Sequence, residues 1–99
     1  MANVTLTTKE QEMLTAFIEA GIAINGAETA EWMIEDNMTV CNADDLLEAL
    51  GGTKQSIGGT MSALEAKNLI QDLELSYRGA RCNDWICTDF GIEQHFQTN

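Results

Sequence analysis

Cys41, Cys82, Cys87 and His95 are the side chains with the widest chemical range in this chain. Thiolates and an imidazole together can hold zinc in a tetrahedral site. Their spacing argues for something plainer. Cys82 and Cys87 have four residues between them, but Cys41 and His95 each stand alone, so the expectation is ordinary buried or half-buried thiols and no metal. An odd number of cysteines fits reduced intracellular thiols better than a secreted disulfide framework. Covalent chemistry finds even less to work with. There is one histidine, no nucleophile–base pair and no glycine-rich phosphate loop, so neither a catalytic residue nor a cofactor is expected.

The chemistry that remains is non-covalent, and charge dominates it. Sixteen acidic residues face five Lys and Arg, a net charge of −11. Taken whole, that balance opposes nucleic-acid binding, which draws on Lys and Arg, and favours solubility or a basic partner. Its distribution is uneven. Residues 1–50 carry a net −9, residues 51–81 a net +1 and residues 82–99 a net −3. Four of the five basic residues, Lys54, Lys67, Arg78 and Arg81, fall in the middle segment.

The elements that must position these residues follow from periodicity. Ninety-nine residues at 44% apolar suit one domain over 1–99. No apolar run approaches the ~18 residues of a membrane span, and the N-terminus lacks the basic-then-apolar layout of a signal peptide; a cytoplasmic protein with no membrane partner is expected. A first helix is expected over Leu6–Gly21, with Thr7 and Glu10 as a capping box, an inner stripe of Leu14, Phe17 and Ile18, and Gly21 as its stop. A second spans Gly26–Asn37. Its Trp32 falls off the inner stripe, either to rest on a neighbouring helix or to meet a second subunit or partner. Met38–Cys41 reads as a brief strand. Asn42 caps a third helix that Gly51 and Gly52 end. Ile57, Met61 and Leu64 stripe a fourth, with Asn68 as a left-handed terminator. An alternating strand from Leu69 to Tyr77, a turn at Arg78–Ala80, a return strand at Asp84–Thr88 and a short helix over Ile92–Gln97 complete the order. The class is mainly α with a small β-hairpin, an α+β fold.

Helix, helix, strand, helix, tight turn, helix, hairpin is the outline of a winged helix-turn-helix. The stretch "NADDLLEALGGTKQSIGGTMSALEAKNLI" resembles the helix-turn-helix of MarR-like transcription regulators. The matched parts are Leu50-Gly51, Ser56-Ile57 and the closing Leu64-Glu65-Ala66-Lys67-Asn68-Leu69-Ile70. Leu6-Thr7 with Glu10 is similar to the family's opening. Arg81, five residues, then Cys87-Thr88-Asp89-Phe90-Gly91 is similar to the end of its wing. The chain departs at Gly79, where the family's wing carries Asp, at Asn68, where it carries Gly, and at Cys87, where it carries Leu.

This resemblance implies a helix-turn-helix over about 43–68 and a wing over about 69–88. It implies that the second motif helix enters the major groove of double-stranded DNA. The implied DNA-contact residues are Lys54, Gln55, Ser56, Gly59, Thr60, Ser62 and Lys67, with Arg78 and Arg81 at the wing. Gln55 can read adenine; Ser56, Thr60 and Ser62 can meet phosphates or base edges. Few basic residues imply weak binding, or binding that depends on a homodimer. Gly58 and Gly59, each costing about 1 kcal/mol in a helix, suit close backbone approach, or are a weakness the buried stripe tolerates. The alternative function is a winged-helix protein-interaction module or inhibitor, viral inhibitors included, whose acidic surface or Trp32 binds a basic protein.

Overall fold

The computed structural model describes residues 5–73, 76–77, 80–81 and 84–98, the backbone alone at 76–77, 80–81 and 98. Thr7 starts the first helix. Its hydroxyl accepts from the Glu10 amide at 3.2 Å, and Glu10 Oε1 accepts from the Thr7 amide at 2.8 Å. Two backbone donors that the first turn would leave bare are thereby satisfied. Helix α1 runs Thr8–Asn25 and ends at Gly26, left-handed at φ 72°. It therefore passes the expected stop at Gly21. That glycine is buried, and a Cβ on it would lie 2.9 Å from Thr39 Cγ2. Close packing on the chain at Met38–Thr39, not termination, uses its missing side chain.

Helix α2 spans only Ala30–Glu35, capped by Thr29, whose hydroxyl accepts from the Trp32 amide. Strand β1 (Val40–Asn42) leads directly into α3 (Ala43–Leu50), where Asn42 and Asp45 form a second reciprocal cap. Gly51 at φ 74° and Gly52 at φ 89° make the turn that follows, a conformation side-chain-bearing residues rarely adopt. Thr53 and Ser56 cap α4 (Lys54–Ala66). Asn68 sits at φ 62°, the left-handed position its side chain tolerates.

Strands β2 (Ile70–Asp72), β3 (Ser76–Tyr77), β4 (Ala80–Arg81) and β5 (Asp84–Cys87) precede α5 (Asp89–Thr98). The expected continuous strand over 69–77 is thus two short ones, β2 and β3, and Ala80, expected in the turn Arg78–Ala80, already belongs to β4; Glu74, Leu75, Arg78 and Gly79 lie outside the described residues. Three strands form an antiparallel sheet in the order β1-β5-β2, and β3 pairs with β4. The register sets Cys41 opposite Trp85 and Ile70 opposite Cys87. Beyond the end of β1, side chains continue the pairing. The Cys87 amide donates to Thr39 Oγ1 at 3.0 Å, and Asn37 Nδ2 donates to the Cys87 carbonyl at 2.9 Å. Thr39 is fully buried, so this clip removes the desolvation cost its hydroxyl would otherwise carry.

Helix α5 begins three residues before the expected Ile92, because Thr88 Oγ1 accepts from the Gly91 amide and donates to the Asn68 carbonyl. Gly91 sits against the Leu69 backbone so closely that a Cβ would collide with the Leu69 carbonyl oxygen. The core lies between α1, α4 and the sheet. Met13, Leu14, Phe17 and Ile18 of α1 meet Met33, Leu46, Ile57, Met61, Leu64, Ile70 and Ile92. Each such side chain contributes roughly 1.5–3 kcal/mol by leaving water. The molecule is mainly helical with a small antiparallel sheet. Among the described residues no helix is long and apolar enough to cross a membrane.

Candidate nucleic-acid interface

The exposed side of α4 is built by what its other side buries. Ile57, Met61 and Leu64, spaced four and three apart, all face the core. That rotation turns Lys54, Gln55, Ser56, Gly58, Gly59 and Ser62 to solvent and leaves Thr60 and Ala63 half-buried. Residues 49–64 contain no Asp or Glu. No atom beyond the helix's own backbone and the flanking residues lies within 4 Å of a Cβ built at Gly58 or Gly59. Over these two residues the helix presents bare backbone.

The hydroxyls differ in what they have left to offer. Ser56 Oγ accepts from the Thr53 amide at 3.1 Å and donates to the Thr53 carbonyl at 2.9 Å, so its proton is committed to the cap. Thr60 Oγ1 donates to the Ser56 carbonyl at 3.1 Å and keeps acceptor capacity. Ser62 is exposed. Gln55 and Lys54 extend into solvent at the helix start, where the helix dipole adds partial positive charge.

Lys67 departs from the group in which the sequence set it. Its Nζ lies 2.8 Å from Glu10 Oε1, 3.0 Å from Oε2 and 3.0 Å from the Thr5 carbonyl. Glu10 is only 5% exposed. The charge of Lys67 is spent on that carboxylate, and it sits at the C-terminal end of α4, about 20 Å along the helix from Lys54 at 1.5 Å per residue. The Lys67 hydrogen bond and the Thr7 amide hold the Glu10 carboxyl below its usual pKa, against the opposing effect of burial.

A residue the sequence did not group with α4 lies beside its N-terminal half. Lys9, in the first turn of α1, is exposed and lines a cleft of about 130 Å³ with Glu12, Gly51, Gly52, Ser56 and Thr60. It brings a second cation beside the start of α4. Glu12 in the same cleft restrains that charge. Arg78 lies outside the described residues, and Arg81 is described only by the pairing of its backbone with Ser76.

Trp32 is 45% exposed on α2, so a large part of its ring system stays open to solvent. The thiols are structural in placement. Cys41 and Cys87 are buried and unpaired, and burial pushes their pKa values up to about 11 and about 12. Both are neutral at pH 7 and poorly nucleophilic. Among the described residues no three His, Cys, Asp or Glu side chains converge as a metal site; Cys82 lies outside them. His95 packs edge-on to Phe96 at 5.3 Å, and burial lowers its pKa against the pull of Glu19.

Neither models of known protein families, nor curated proteins, nor solved structures give a match to this chain.

Proposed function

We propose that the chain is a small winged-helix protein that binds double-stranded DNA through α4 and acts as a transcription regulator. The observation that carries this reading is the solvent-facing, acid-free half of α4, with its backbone bare at Gly58 and Gly59, in a chain of net charge −11. The order of elements and the β1-β5-β2 sheet support it. In this reading α3, the Gly51-Gly52 turn and α4 are the helix-turn-helix, and β3–β4 belongs to the wing.

The N-terminal half of α4 lies in the major groove. Lys54 and Lys9 meet phosphates, Gln55 faces a base edge, and the bare turn at Gly58–Gly59 lets the helix sit close. Arg78 and Arg81, assigned to the wing by sequence, are the further candidate contacts with the DNA backbone. Acids on α3, at Asp44, Asp45 and Glu48, keep DNA from wrapping further. Two to four phosphate contacts per chain give weak binding unless a homodimer doubles them.

The test is fluorescence anisotropy with a labelled random duplex. For two to four contacts, affinity falls roughly 10- to 150-fold between about 50 mM and about 200 mM salt. Lys54→Glu and Arg81→Glu each weaken it further. No binding at the lower salt refutes the reading for the isolated chain.

A further inference from the structure

The far end of α1 from the cleft, with α2, carries the most exposed large apolar side chains among the described residues. Ile22 is 40% exposed, Ile24 58% and Trp32 45%. Ile24 continues the inward stripe of Leu14, Phe17 and Gly21 by one more turn, yet it meets water, so α1 runs past the core it packs on. Asn25, one turn beyond Ile22, fixes this overhang. Its Nδ2 donates to the Asp36 carbonyl at 2.7 Å and lies 3.3 Å from the Asp36 carboxylate. Trp32 is one turn before Asp36, with its backbone pinned by the Thr29 cap. These bonds tie the end of α1, which carries Ile22 and Ile24, to the end of α2, which carries Trp32.

Charge selects what can cover them. Residues 10–53 contain ten acidic residues and no Lys or Arg. Glu19, Glu28, Glu31 and Glu35 are exposed among the apolar three. Ile22 is separated from Lys9 by about 20 Å along α1, well over the ~8 Å Debye length of physiological salt. The two ends therefore act independently. Duplex DNA is repelled by this end, and a second copy would set like charges against each other. We propose that the α1–α2 end docks a basic amphipathic segment of a protein partner, with Trp32, Ile22 and Ile24 as apolar anchors and the surrounding carboxylates meeting its cations.

The probe is a labelled amphipathic helix of Lys and Leu, compared with the same pattern in Glu and Leu, titrated with the folded chain at about 150 mM salt. The Lys/Leu peptide binds and the Glu/Leu peptide does not. Trp32→Ala weakens binding at least about tenfold, as removing a central aromatic anchor does, while Trp32→Phe keeps most of it. Glu48→Gln on α3 and Lys54→Glu on α4 leave it unchanged. Circular dichroism confirms that each variant is folded. Binding that ignores Trp32→Ala, or that Glu48→Gln weakens equally, reduces the effect to general charge attraction and overturns the proposal. So does a dimer, seen by sedimentation, that Trp32→Ala dissolves.

Discussion

Replacing Lys67 with Met separates a structural cation from a DNA-contacting one. Methionine keeps the length and apolar stem of the side chain and removes its charge. Glu10 then keeps the Thr7 amide but loses both short contacts from the ammonium. Breaking a fully buried ion pair costs about 3–5 kcal/mol through the charge left behind. Here the Lys67 side chain is 33% exposed, so water partly rehydrates the carboxylate, and the expected cost is about 2 kcal/mol. In a domain of this size that lowers Tm by roughly 8–16 °C. The cost depends on pH in a defined direction. The folded-state pKa of Glu10 is depressed below 4.5, so the pair's stabilisation is complete above that value and is lost as pH falls through the folded pKa. Calorimetry of both proteins at pH 7 and at pH 3 reads this out: the gap in Tm is widest at pH 7 and narrows at pH 3. A gap under about 2 °C at pH 7, or one that is equal at both values, refutes the account of Glu10 and Lys67. At a temperature where both are folded, the variant's DNA affinity stays within about twofold of the parent, far less than the loss of a phosphate contact produces.

Gly59→Arg places a cation where nothing obstructs a side chain; it gains up to about 1 kcal/mol in urea-unfolding stability from helix propensity and tightens duplex binding severalfold at low salt. Gly91→Ala forces a Cβ into the Leu69 carbonyl, a backbone contact that cannot swing aside, and lowers urea-unfolding stability by about 2–3 kcal/mol. Cys41 and Cys87, buried with pKa values near 11 and 12, resist iodoacetamide at pH 8 in the folded protein and react once urea unfolds it, as peptide mass spectrometry shows.

The starts of α1 and α3 were legible, because their caps are local chemistry, whereas α2 begins four residues after the expected Gly26. Thr7 with Glu10 and Asn42 with its acidic first turn announce themselves within four residues. Glycine was legible only where the backbone needs its conformational range, as at Gly51 and Gly52. At Gly21 the same residue type serves a contact with Thr39, which no local pattern encodes. The start of α5 was hidden for a related reason: Thr88 caps it while also holding Asn68, twenty residues away. The candidate interface divides along the same line. Periodicity was enough to turn Lys54, Gln55 and Gly59 outward. The ion pair of Lys67 was hidden because its partner is 57 residues distant, and counting charge along a segment cannot see which charges are already neutralised. Lys9 went ungrouped because only the packing of α1 on α4 brings it to Ser56 and Thr60.

Strand β5 is the middle strand of the three-stranded sheet, and β1 and β2 touch it but not each other. During synthesis the two outer strands therefore emerge with no partner to pair with. Until residues 84–87 are made, the edges of β1 and β2 and the side-chain amide N–H of Asn37 lack the partners that β5 supplies, and the Thr39 hydroxyl has only its local bond to Asn37. Helices α1, α3 and α4 can pack in that interval, since their contacts need nothing later than Ala66. The sheet closes in a single late event that joins residues about fifty apart. A chain arrested before β5 would have its helices and no sheet, with two unpaired strands exposed to neighbouring chains.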